Sequence, residues 1–197
     1  MAKPLPRSFY ARPTLTVARD LLGRRLVRRV RGRRVSGIIV ETEAYRGPAD
    51  VASHARHGAE SKAAPMFGEP GHAYVYFTYG MHYCMNVVTE PAGSGTAVLI
   101  RALEPDEGVA AMRRNRGGDF PDHELTNGPA KLCQALAVDR ALNREDLLGD
   151  RLWIEAGQPV PARRIKQTAR VGIRRGREHP WRFYDSASRF VSAHPRY

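Results

Sequence analysis

The chain has 197 residues, 42% of them hydrophobic, which suits one domain with a real core, and its formal net charge of +12 points to a polyanionic partner. Its two cysteines, Cys84 and Cys133, form no CxxC pair, which excludes a disulfide framework and a structural zinc site and reads as two small buried hydrophobes. No stretch approaches the roughly 18 apolar residues of a membrane span, and MAKPLPRSFYARP has no apolar run after its basic residues, so no membrane partner and a soluble, cytoplasmic protein are expected.

Residues 14–23, TLTVARDLLG, carry Val17, Ala18, Leu21 and Leu22 at helical spacing, with a threonine to cap the start and Gly23 to end it. RRLVRRVRGRRVSGIIVETEAY then reads as two strands joined at Arg31-Gly32, the first with its arginines outside, the second apolar through Ile38, Ile39 and Val40. Residues 46–72 show no sustained period and read as a long loop with a turn of helix; ordered loops of that length usually serve a function. AYVYFTYGMHYCMN, 73–86, forms a hairpin around Gly80, and TAVLIRAL, 96–103, adds a strand. Pro105, Asp106 and Glu107 predict a helix start, and GVAAMRRNR ends that helix in cations before Gly117. A second helix starts at Pro129, and Asn143 is expected to cap a third at REDLL. LWIEA, TARVGI and WRFY read as short β pieces, with 157–167 a weak point between them. Strands and helices come in blocks, so the predicted class is α+β, one mixed domain over 1–197 with a largely antiparallel sheet.

Three constellations bear on chemistry. In ETEAY, period-two alternation projects Glu41, Glu43 and Tyr45 from one face of a strand. A carboxylate there suits a general base toward water, and it equally suits an ion pair opposite the arginine-rich strand. A divalent metal on Glu41, Glu43, Asp50 and His54 is a third reading, although the spacing matches no recurrent metal motif. Asn86, inside an apolar strand, calls for a partner, either a backbone group or a ligand edge. At the hairpin tip, Tyr79 and Met81 are poor choices for folding and good ones for a wedge that unstacks a base step, whereas Tyr74, Phe77 and Tyr83 suit aromatic packing across the hairpin. Two arginine clusters, Arg24 to Arg34 and Arg163 to Arg177, fit phosphate contacts or a solvated basic face.

VETEAYRGPADVASH, MFGEPGHAYVYFTYGMHYCMNV, VLIRALEP, NGPAKLCQALA and RVGI, in that order and nearly end to end, resemble the alkyladenine (3-methyladenine) DNA glycosylases of the mammalian type, which bacteria also carry. The resemblance implies a curved antiparallel sheet with a protruding hairpin, and removal of alkylated or deaminated purines from double-stranded DNA, without cofactor or metal. By position it implies that Glu43 is the general base, and that Arg101 and the Val171 carbonyl help to hold its water. Tyr45, His54 and Tyr76 then wall the pocket of the flipped base, Asn86 screens against the guanine amino group, and Tyr79 with Met81 intercalates. A monomer is expected. The chain departs from the family's usual Thr-x-Arg-Asn stretch, having Glu60, Lys62 and Ala63 there, which puts phosphate contacts or loop order in that segment in question. An architectural binder that bends DNA with Tyr79, and a metal-dependent nuclease, are the rival readings.

Overall fold

The computed structural model describes residues 3–192. In chain order its elements are α1 (Arg7–Tyr10), α2 (Thr14–Asp20), β1 (Arg25–Val30), β2 (Arg33–Arg46), β3 (Ala73–Thr78), β4 (His82–Thr89), β5 (Thr96–Pro105), α3 (Val109–Arg116), α4 (Pro129–Ala135), β6 (Leu152–Glu155), β7 (Ile165–Thr168) and β8 (Arg182–Asp185). The eight strands form one sheet in the order β3-β4-β5-β2-β1-β6, with β8 pairing β2 and β7, and every pairing is antiparallel. The expected α+β class holds.

Alternation divides the sheet into two faces. One face carries Ala44, Val75, Met85, Val87, Val98 and Ile100 into the main core, against Val17 and Ala18 of α2, Leu21 just after it, and Leu132 and Cys133 of α4. The opposite face presents Tyr74, Val88 and Ala97, covered by the 46–72 segment through Ala55, Ala63 and Met66. That segment has two short 3-10 turns, His54–His57 and Ala64–Phe67, so its apolar side chains cap a second, smaller core. Cys84 and Cys133 are buried and free, as their spacing suggested.

β2 changes neighbours halfway along. As far as Ile38 it pairs with β1, and from Glu41 to Glu43 it pairs with β8, while the register with β5 shifts on either side of Glu41. Such a bulge twists the strand and re-aims its side chains, and bulges concentrate beside functional sites. It brings β8, and with it Arg182, against the two glutamates.

Both hairpin joints use a left-handed backbone. Arg31 and Gly32 have φ of 48° and 77° in a two-residue joint, and Tyr79 and Gly80 have φ of 52° and 67° in the loop between Thr78 and His82. Glycine takes such angles freely, whereas tyrosine is strained by them.

Four local expectations fail. No threonine caps α2: Pro13 precedes it, and the Thr14 hydroxyl donates to Glu90. β5 runs on through Pro105, and α3 starts only at Val109, because Asp106 and Glu107 are held by Arg25 and Arg34 of the β1–β2 hairpin and not by a helix start. Asn143 caps no third helix: its side-chain oxygen accepts from the Val75 N–H on the outer edge of β3, which residues 143–145 cover, and Arg144 has φ of 71°. TARVGI is not a strand beyond Thr168; the RVGI residues form a loop.

Candidate active site

Tyr45 on β2, Tyr74 and Tyr76 on β3, Cys84 and Asn86 on β4, and Leu99 and Arg101 on β5 all project from the second face of the sheet. With His54, Val171 and neighbouring loop residues they line a cavity of about 620 Å³. Volumes of this order suit a flat, drug-sized ligand.

The aromatic wall is built in layers. Tyr74 and Tyr76 stack at 5.4 Å between centroids, and the His54 ring meets Tyr76 edge-on at 4.6 Å. His54 Nδ1 lies 3.0 Å from the Tyr74 hydroxyl. Partial burial, with His57 and Arg56 nearby, holds the His54 imidazole below its usual value, so the ring is neutral at pH 7. Tyr74 therefore belongs to the cavity; only Phe77 and Tyr83, at 5.1 Å, pair across the hairpin as expected. Asn86 is buried, lines the cavity, and donates its amide N–H to the Tyr74 carbonyl at 3.1 Å, so the partner it called for is a backbone group.

Glu43 is fully buried behind this wall, and its three neighbours, Tyr45, Arg101 and Val171, are themselves wall residues. Oε2 accepts the Tyr45 hydroxyl at 2.9 Å. Oε1 accepts the Val171 backbone N–H at 2.7 Å and lies 3.3 Å from Arg101 Nη1. At Val171 it is thus the N–H that engages the glutamate. Oε1 thus carries the Val171 hydrogen bond and the Arg101 ion-pair contact, whereas Oε2 carries the Tyr45 hydroxyl and, by the usual two acceptor positions of a carboxylate oxygen, keeps one.

Glu41 and Glu43 do share a face, but their cations come from β5 and β8 and not from the arginine-rich β1. Glu41 pairs with Arg101 and Arg182. Asp50 pairs with Arg170 at 2.6 Å, both side chains fully buried. Each of the proposed metal ligands Glu41, Glu43 and Asp50 thus faces a guanidinium, and among the described residues no group of three His, Cys, Asp or Glu side chains is placed to hold a metal.

Arg170 was grouped in sequence with phosphate-binding arginines, yet its guanidinium lies between the rings of Tyr45, at 4.7 Å, and Trp181, at 4.9 Å, with both Nη atoms on Asp50. The first arginine cluster is likewise largely committed: Arg25 to Asp106, Arg29 to Asp150, Arg34 to Glu107 and Glu155. Arg56, Arg174 and Arg175 instead stand at the cavity itself. Glu60 and Lys62 are exposed, whereas Ala63 is buried in the smaller core with Ala55, Met66 and Tyr74.

Tyr79 lines the outer part of the cavity yet is 83% exposed, and Met81 near it is 69% exposed. Tyr79 combines a strained backbone with an unpacked ring, and nothing in the fold of the chain rewards either.

The family described as Methylpurine-DNA glycosylase (MPG) matches residues 8–189. The chain is 52% identical over 189 residues to a protein of Carboxydothermus hydrogenoformans, covering 95% of this chain and 98% of that one. It is 50% identical over 192 residues to one of Methanocella arvoryzae, covering 95% of each. It is 46% identical over 202 residues to one of Desulfitobacterium hafniense, covering 96% and 98%. Each of the three carries the name "Putative 3-methyladenine DNA glycosylase". These matches put the chain in the class of DNA glycosylases, hydrolases of N-glycosyl bonds in base repair. The chain belongs to the methylpurine-DNA glycosylase family.

Proposed function

We propose that this protein is a monofunctional, metal-independent glycosylase that flips alkylated or deaminated purines out of double-stranded DNA and hydrolyses their N-glycosidic bond. The observation that carries this reading is Glu43, ringed by Tyr45, Arg101 and Val171 immediately behind an aromatic cavity. A DNA-bending protein has no use for such a carboxylate, which separates this reading from an architectural one.

In this reading the base stacks among Tyr45, Tyr76 and His54, whose neutral ring adds no charge against a cationic alkylated purine. Asn86 meets the purine edge, and its amide suits discrimination between edges that carry and lack an amino group. Tyr79 fills the gap left in the duplex, with Met81 beside it. Unstacking costs a few kcal/mol and is easiest at damaged, weakly paired positions.

The reaction needs a water at C1′. Glu43 Oε2, with its one open acceptor position, takes the water's proton; the water oxygen bonds to C1′, and the bond from C1′ to the purine nitrogen breaks with its electron pair leaving on the base. An alkylated, cationic purine departs neutral. The positive charge that develops on the sugar is stabilised by the same carboxylate. Among the described residues no lysine lines the cavity, which supports hydrolysis over Schiff-base lyase chemistry.

The test uses a duplex with one hypoxanthine or ethenoadenine, in EDTA, followed by alkali. Wild type should give alkali-dependent cuts only at the lesion, and Glu43→Gln none. Cuts without alkali would indicate a lyase or nuclease, and no excision of any neutral or alkylated purine would sink the reading.

A further inference from the structure

Two residues before Glu43, Glu41 is fully buried and is not part of the cavity wall. Four donors converge on it: Arg101 Nε at 3.0 Å, Arg182 Nε at 2.6 Å and the Ser192 hydroxyl at 2.9 Å on Oε1, and the Ser192 backbone N–H at 2.7 Å on Oε2. Burial acts to raise this carboxyl, but Arg101 and Arg182 outweigh it and hold it below the usual range, so Glu41 is an anion throughout the neutral region.

What this does is visible in Arg101. Its Nε is spent on Glu41, its Nη2 lies 3.4 Å from the Ser192 hydroxyl oxygen, and Nη1 comes nearest Glu43, at 3.3 Å. A guanidinium beside a carboxylate prefers the two-point fork. Here its nearest approach is a 3.3 Å ion-pair contact on Oε1, the oxygen that already accepts from Val171, and no forked hydrogen bond to Glu43 forms among the described residues. A fork would need Oε2, the oxygen with the open position.

We infer that Glu41 is a positioning residue: by anchoring Arg101 Nε it stops the guanidinium from closing on Glu43 in a fork, and so keeps Glu43 Oε2 open to the attacking water. This rests on the reading of Glu43 as the general base. Arg182 pairs with the same carboxylate from the β8 side, while Glu41 keeps its own bonds to Arg101 and Ser192.

Single-turnover excision and lesion-duplex affinity, measured together, test it. Glu41→Gln keeps the shape and removes the charge. Its excision rate should fall about 100-fold, the scale of an ångström-level misplacement, while its affinity for the lesion duplex stays within about twofold. In an Arg101→Met background, Glu41→Gln should slow excision by no more than about a further twofold, since its effect runs through Arg101. Arg182→Met disturbs the same buried cluster without removing the anchor of Arg101, and should slow excision far less than Glu41→Gln.

A wild-type rate in Glu41→Gln, an equal loss added on top of Arg101→Met, or equal losses in Glu41→Gln and Arg182→Met would each overturn the role. Should Glu41→Gln fail to fold by circular dichroism, Ser192→Ala decides: it removes the hydroxyl that joins Glu41 to Arg101, with an expected rate loss of about fivefold at unchanged affinity, and an unchanged rate overturns the inference. Absence of excision by wild type on every lesion would remove the underlying reading, and the inference with it. Excision by wild type and loss in Glu43→Gln, with full activity in Glu41→Gln, would remove the inference alone.

Discussion

Tyr45 donates its hydroxyl to Oε2 of Glu43, the residue two positions before it on the same strand and the same face. The ring is cavity wall and the hydroxyl is a carboxylate clamp, so a base stacked on the ring bears on the group that would activate water. Burial and the neighbouring Glu43 push the phenol well above its usual value, so it remains a donor throughout the neutral range.

Tyr45→Phe keeps the stacking surface and removes the clamp. The carboxylate then turns about its own terminal torsion, and a hydrogen bond to a charged group, worth about 1.5–3 kcal/mol, is lost where it sets geometry. The expected outcome is an excision rate lower by about tenfold, with lesion affinity nearly unchanged. A variant that binds lesions poorly but cleaves them at full rate would show that the hydroxyl acts in recognition instead.

Arg170 and Asp50 make an acid-sensitive buried pair. Burial raises the Asp50 carboxyl, but the Arg170 guanidinium and the Arg46 and Ala52 backbone N–H groups bring it below its ordinary value. A depressed carboxyl contributes stability in full above the unfolded value of about 3.9, and loses it as pH falls through the folded value. Asp50→Asn should therefore destabilise the protein by about 3–5 kcal/mol at pH 7, because it strands Arg170 in the interior, and the deficit should shrink below about pH 4. Denaturant melts at pH 7 and pH 3 measure both quantities; a deficit that grows on acidification would contradict the assignment.

Much of the site was legible from alternation alone. Period two put Glu41, Glu43 and Tyr45 on one face, and the same rule put Tyr74 beside Tyr76, although the hairpin invited the view that Tyr74 packs across it. Long-range pairing left no local trace. Arg170 reaches Asp50 across 120 residues and Arg182 reaches Glu41 across 141, and nothing local in an arginine-rich tail distinguishes a buried clamp from a phosphate contact. The same competition undid the helix start at Pro105, where Arg25 and Arg34 claimed the two acids that a helix would have used. The bulge at Glu41 is a third case, since it depends on β8, which lies near the other end of the chain.

His54 gives a spectroscopic check of the cavity. Its imidazole is held below the ordinary value by partial burial and by His57 and Arg56. Below about pH 6.5 the unfolded chain protonates this residue while the fold resists, so stability falls with pH until the folded value is passed. An NMR titration of the ring should give a midpoint below about 6.5, and Tyr74→Phe, which removes the hydroxyl near Nδ1, should move it. A midpoint above that value would mean that an anion faces the ring.

Tyr79 and the arginines at the cavity should separate two components of DNA binding. Arg174 and Arg175 are exposed beside Val171, where phosphates flanking a flipped nucleotide would pass. Each phosphate contact removed lowers the slope of log affinity against log salt by about one, equally for damaged and undamaged duplexes. Arg174→Ala and Arg175→Ala should behave in that way. Tyr79→Ala should leave the salt slope and undamaged-duplex affinity unchanged while raising the lesion-duplex Kd about 10- to 100-fold, the cost of losing one stacking platform worth about 1–3 kcal/mol. Fluorescence of 2-aminopurine next to the lesion reports the unstacking directly. If Tyr79→Ala weakened both duplexes equally, the exposed ring would be an ordinary contact, and its strained backbone would have to serve the hairpin itself.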